Sequence, residues 1–170
     1  MQIRPARDAD FAATCRIHMA GRQHAYRGWI DDRVLDGTPL EEWAELRASS
    51  LVRQRGLRTW VAEKDGRVVA FADTAAATDD DLPPAAGEVR LLYVAPAEIG
   101  TGIGRELFEH AVADLRERGY GPLVLWTLEG NEGARRFYER AGWEHDGRVR
   151  PWEWPGRQVS REVRYRHRER

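Results

Sequence analysis

Short apolar runs alternate along this chain with polar, glycine-rich or proline-rich breaks. Gln2-Ile3-Arg4 reads as a short strand that Pro5 confines to a sheet edge. Asp8 can cap a helix whose apolar positions, Phe11, Cys15 and Ile17-His18, recur at helical spacing, with an expected end near Gly21. Gln23 to Pro39 has no period and is expected to be irregular. Thr38-Pro39-Leu40-Glu41 signals a second helix, with Thr38 as cap and Pro39 in first position. That helix puts Leu40, Trp43, Leu46 and Leu51 at helical spacing and stops before Gly56. Arg58–Glu63 and Arg67–Ala72 form a hairpin about Asp65-Gly66, a strong turn signal. Thr78 to Gly87 is acidic and proline-rich, as an exposed loop would be.

The next stretch is the most informative. Val89 to Val94 is an apolar strand-like run that breaks at Pro96. Gly100-Thr101-Gly102-Ile103-Gly104 follows, and an amphipathic helix pattern begins at Arg105 with Leu107-Phe108, Ala111-Val112 and Leu115. Gly119 is its expected C-terminal cap. Leu123–Leu128 is nearly all apolar, as a strand buried on both faces should be. Asn131 caps a short helix through Phe137-Tyr138 that ends at Ala141-Gly142. Trp143 to Arg168 reads as two strands about Trp154-Pro155-Gly156-Arg157. The order is β-α-α-β-β-β-α-β-α-β-β in one domain, residues 1–170, with a parallel unit inside an otherwise antiparallel sheet.

Strand, glycine turn and helix start together hold phosphate. Glycine lets a ligand approach the backbone, and the first-turn N–H groups point at it. The spacing is GxGxG with Leu107 three past Gly104, so the dinucleotide fingerprint fails. A Walker loop fails too, for want of GK followed by Ser or Thr. A diphosphate loop built on backbone N–H groups and a glycine-rich turn without a ligand remain, and three alternating glycines at a helix start favour the first.

VAPAEIGTGIGRELFEHA resembles motif A of the GCN5-related N-acetyltransferases (GNAT). Gly102 and Gly104 fall on the two glycine positions of its Gln/Arg-x-x-Gly-x-Gly/Ala consensus, while Ile99 stands at the Gln/Arg position. NEGARRFYERAGW matches a later motif of the same family at Asn131, Ala134, Tyr138, Gly142 and Trp143. The resemblance implies an α/β (α+β) GNAT fold, a mixed sheet of about six to seven strands flanked by about four helices. It implies acetyl-CoA as cosubstrate, bound along Leu92, Tyr93, Val94, Ile99, Gly100, Thr101, Gly102, Ile103, Gly104, Arg105, Asn131, Ala134 and Tyr138. It implies that Tyr138 sits near the CoA sulfur as general acid; a phenol, pKa about 10, stays protonated at neutral pH. Glu88, six residues before Val94, falls where some members carry a catalytic glutamate and is the candidate base; His18 and His24 are alternatives. The acceptor pocket is expected from Tyr26, Trp29, Asp31, Asp32, Trp152 and Trp154, whose aromatic and acidic groups suit a cationic amine.

Composition narrows the partners. The 170 residues carry 27 basic and 28 acidic side chains, a net charge of −1, which gives no electrostatic case for nucleic acid. Lys64 is the single lysine among the basic residues. One cysteine, Cys15, precludes an internal disulfide, and no window has the roughly 18 apolar residues of a membrane span. A cytoplasmic protein without metal is expected, with a homodimer as the assembly considered. Cys15 lies away from the motif, so direct transfer in a ternary complex with a small-molecule amine is expected rather than an acyl-enzyme. Alternatives are a peptide N-terminal acetyltransferase and a non-catalytic acetyl-CoA sensor.

Overall fold

A computed structural model describes residues 1–153 and 158–167, with Ser50, Gln158 and Val159 described by backbone alone. The strands are β1 (Gln2–Pro5), β2 (Arg58–Lys64), β3 (Arg67–Ala76), β4 (Gly87–Val94), β5 (Leu123–Leu128), β6 (Trp143–Glu153) and β7 (Gln158–His167). The helices are α1 (Phe11–Tyr26), α2 (Asp32–Asp36), α3 (Leu40–Val52), α4 (Ile103–Glu117) and α5 (Glu132–Arg140). The seven strands form one sheet in the order β1-β2-β3-β4-β5-β7-β6. Only β4 and β5 pair in parallel, joined by the α4 crossover, as the element order predicts. No helix among the described residues is long and apolar enough to cross a membrane.

Local chemistry explains most boundaries. Asp65 and Gly66 both adopt positive φ, the requirement of the two-residue turn that matches strand twist. At the end of α4 the Tyr120 N–H reaches Leu115 O and the Gly119 N–H reaches Arg116 O, a Schellman closure. Asn131 Oδ1 accepts from the Ala134 N–H at 3.1 Å and caps α5.

Three expectations are corrected. The first helix does not stop at Gly21 but runs to Tyr26, and the segment expected to be irregular holds α2, capped by Asp31. Gly21 is a contact residue: a Cβ there would lie 2.5 Å from Cδ1 of Tyr93. On α3, Pro39 rather than Thr38 holds the cap position. That helix turns Trp43 and Arg47 inward and leaves Leu46 exposed. Arg47 is tolerated inside because Asp73 of β3 pairs with it at 2.9 Å. The loop before β4 is also less free than its composition suggests. Asp81 grips the buried Arg164 guanidinium with two 2.7 Å bonds, and Asp79 accepts from Trp126 Nε1.

One irregularity organises the sheet. Asp73 pairs with Leu91 and Thr74 with Val89, so Arg90 is an extra residue in β4. Strand side chains alternate faces, so without that bulge Val89 and Leu92 would oppose each other. With it, Val89, Leu92 and Val94 all pack on the α4 side, while Leu91 and Tyr93 pack with Ile17 and Phe71 on the α1 side.

Gly21→Ala tests the α1–Tyr93 contact. Helix propensity alone would stabilise the protein by about 1 kcal/mol. The Tyr93 ring, bonded to Tyr26 at 3.1 Å and stacked on Phe71, resists moving aside, and overpacking costs about 1–3 kcal/mol. Chemical denaturation should therefore show net destabilisation, and a rise in stability would contradict the packing described.

Candidate active site

β4 and β5 pair only from Gly87–Leu123 to Val89–Leu125. Beyond the bulge they diverge. Ala95 donates to Val69 O on the β3 side at 2.8 Å. Amide directions alternate along a strand, so the N–H groups of Leu92 and Val94 turn into the gap.

At the gap lies a chamber of about 230 Å³. β4 contributes Val89 to Tyr93, β5 contributes Trp126 to Leu128, and α5 contributes Asn131, Ala134 and Tyr138. His18, Arg22 and Tyr26 of α1 face it, with Trp43, Trp152 and Glu162 closing the wall. Tyr138 is 8% exposed and packs against Phe108, Phe137 and Tyr165. Burial, and then the neighbouring Tyr26, raises its pKa, so the hydroxyl keeps its proton at neutral pH. Tyr26 and Tyr93 share a hydrogen bond across the chamber, and burial raises both phenols.

A second, more open cleft of about 580 Å³ adjoins the chamber through Asn131 and Ala134. It is lined by Ile99, His24, Trp29 and the start of α5. The glycine loop follows directly on Ile99. Gly100 and Gly102 have φ of +85° and +92°, which favours glycine. Among the described residues, no backbone acceptor takes the N–H groups of Gly100, Gly102, Ile103 and Gly104. Those donors at a helix N-terminus suit an anion such as a diphosphate. Thr101 Oγ1 is committed to Glu98 O at 2.7 Å, and Arg105 pairs with Glu109 at 2.8 Å rather than crowning the loop.

The remaining sequence candidates are distributed unevenly. Tyr26 and Trp152 line the chamber. Trp29 does not: it is 56% exposed and lies on Gly130 in the open cleft. Asp31 accepts from the Arg33 backbone and side chain, and Asp32 pairs with Arg27; neither lines a cavity described here. Trp154 lies outside the described residues. Glu88 is 2% exposed and accepts from Arg90 at 2.8 Å. Burial raises its pKa, against the lowering by Arg90 and Arg150. It lines a neighbouring cavity of about 320 Å³ that shares His18, Trp43, Arg90 and Glu162 with the chamber. Glu88 and Tyr138 therefore face adjoining spaces rather than one. Among the described residues no cluster of three or more His, Cys, Asp or Glu side chains could hold a metal ion.

Sequence reasoning missed Arg22, Trp43, Trp126 and Glu162. The signal for Arg22 was present: His18, Arg22 and Tyr26 stand at i, i+4 and i+8, one helical face. Ending the helix at Gly21 hid that face.

The chain resembles known proteins over most of its length. Residues 15–143 match the acetyltransferase (GNAT) family. A probable N-acetyltransferase of Mycobacterium tuberculosis is 29% identical over 154 residues, covering 89% of this chain and 84% of that protein. The mycothiol acetyltransferase of Rhodococcus jostii is 35% identical over 61% of this chain, which spans only 34% of that protein. Two solved structures share the fold. One is the ribosomal-protein-alanine N-acetyltransferase of Brucella melitensis, with TM-score 0.69, 24% identity and 98% of each chain covered. The other is the PaiA N-acetyltransferase of Thermoplasma acidophilum in complex with coenzyme A, with TM-score 0.72, 14% identity and 98% of each chain covered. A match across residues 15–143, on a sheet that parts where β4 bulges, makes the chain a member of the GNAT acetyltransferase family.

Proposed function

We propose that this enzyme transfers an acetyl group from acetyl-CoA to the primary amine of a small molecule, by direct attack in a ternary complex. The observation that carries this reading is the β4–β5 gap, where pairing ends at Val89–Leu125 and the chamber beyond is lined by Leu92 and Tyr138; strand alternation turns the Leu92 and Val94 amides towards it. Acetyl-CoA supplies an acetyl thioester there. The N–H groups of Gly100, Gly102, Ile103 and Gly104 hold its diphosphate, with Ile99, Thr101 and Arg105 at the rim. Asn131 and Ala134, which border both the chamber and the cleft, guide the pantetheine arm. Tyr93 closes the far side of the channel.

The chain's own groups then divide the proton work. Tyr138 Oη holds a proton for the departing sulfur. The Leu92 and Val94 amides stabilise negative charge building on the carbonyl oxygen. Glu88, whose cavity adjoins the chamber, takes through water the proton that the amine must lose. Fixing both reactants in one narrow gap supplies much of the acceleration, so the base need not be strong. A small acceptor suits a chamber of about 230 Å³. Some relatives are named mycothiol acetyltransferases, and the Brucella protein a ribosomal-protein-alanine N-acetyltransferase.

Tyr138→Phe should lower thiol release about 10²-fold or more while acetyl-CoA affinity measured by calorimetry stays within about twofold. Unchanged turnover would remove Tyr138 as the acid. Gly102→Val meets open space, so the fold should persist by circular dichroism while a strained φ of +92° and a new side chain over the loop abolish acetyl-CoA binding. Retained affinity would refute the diphosphate loop. Glu88 acts only when ionised, and its pKa is raised, so kcat/KM should fall as pH drops through a limb above the usual carboxylate range. Glu88→Gln should abolish that limb and lower the plateau. A limb that survives the substitution belongs to another group.

A further inference from the structure

The α1 wall of the chamber is chemically distinct from the rest. His18 is 8% exposed and its Nδ1 has no hydrogen-bond partner among the described residues. One turn on, Arg22 is 3% exposed, with its guanidinium 4.4 Å from the Trp43 ring centroid and 5.7 Å from that of Trp152. Aromatic faces cover the flat sides of a guanidinium, whereas its N–H groups lie in its plane. Both side chains line the chamber in which the acceptor must sit.

Two roles are open to His18. As a base it would have to hold a proton beside Arg22 and Arg47, and burial together with those two charges lowers its pKa well below the ordinary value. The ring stays neutral, so it carries one N–H donor and one acceptor nitrogen, and it serves an anion as the tautomer that turns its N–H to the chamber. A neutral donor next to a buried guanidinium is a pair for an anion, because a carboxylate accepts from both.

We propose that His18 and Arg22 form an anion subsite that selects acceptors carrying a free carboxylate next to the amine, that is, free amino acids and their close analogues. The chamber of about 230 Å³ lies under the roughly 300 Å³ where pockets for drug-sized ligands begin. A peptide N-terminus has an amide where a free amino acid has its carboxylate, so the subsite selects against it. Trp43, Trp126 and Trp152 around the chamber favour an apolar or aromatic side chain. The inference rests on the acetyltransferase reading for its amine, but the subsite can be read without turnover.

Calorimetry on the CoA-loaded protein should compare matched pairs: phenylalanine with phenethylamine, tryptophan with tryptamine, and methionine with 3-(methylthio)propylamine. At least one amino acid should bind about 30-fold or more tightly than its decarboxylated partner, the scale of a charge-assisted contact. Arg22→Gln should erase that preference by weakening the amino acid and leaving the amine within about twofold. His18→Phe, which keeps the ring and loses the donor, should reduce the preference by about 5- to 10-fold. Arg22→Lys, checked for fold by circular dichroism, should retain part of it, since the charge remains and the planar fork does not. Equal affinity for the two members of every pair, or equal weakening of both by Arg22→Gln, would overturn the subsite. Amino-acid binding without thiol release would leave the subsite standing and overturn the acetyltransferase reading instead.

Discussion

Backbone pairing between β4 and β5 ends at Val89 and Leu125, and the strand that departs is the one carrying the bulge at Arg90. A bulge adds bend and twist to its strand. Here it does two further things. It resets the faces, so that Leu92 and Val94 join the α4 core while Tyr93 turns towards α1. It also frees the β4 amides that a continuous ladder would have consumed. In the middle of a sheet, unpaired amides are costly unless a ligand or water takes them. The gap therefore leaves β4 amides that a polar ligand chain or water can satisfy.

The elements around the gap are held by ordinary forces. α4 packs Leu107, Phe108, Ala111 and Leu115 in the core, and its first turn meets β4 at Val94, where a Cβ on Gly104 would lie 3.1 Å from the Val94 side chain. Asn131 caps α5 and so fixes the helix that carries Tyr138. On the opposite side, the Tyr26–Tyr93 bond ties α1 to β4 across the chamber. Asp79 and Asp81 fasten the loop before β4 to Trp126 and Arg164, holding the β5 side in place. Each of these contacts joins a wall of the chamber to a rigid element, which positions groups more closely than a free loop can.

Much of this was legible in the sequence. The succession of strands along the chain, the parallel crossover, the glycine loop and the Asn131 cap follow from patterns within a few residues, and local physics decides such features. The α1 wall was not legible, because Gly21 looks like a helix end unless Tyr93, seventy-two residues away, is known to pack against it. Glu88 was placed on the right strand, but its pairing with Arg90 depends on a bulge set by β3 register. Trp29 and Asp31 lie close to Tyr26 in sequence, yet a turn after α1 carries them to the cleft and to the α2 cap. Residues joined only through tertiary register leave no periodic trace.

The central claim is that the β4–β5 gap and the glycine loop form one continuous binding channel. Amide chemical shifts followed during an acetyl-CoA titration test it directly. The account predicts the largest changes at Leu92, Val94, Gly102, Ile103 and Gly104, and at Asn131 and Ala134. Saturable changes confined to another face of the sheet, with these seven amides unmoved, would contradict it.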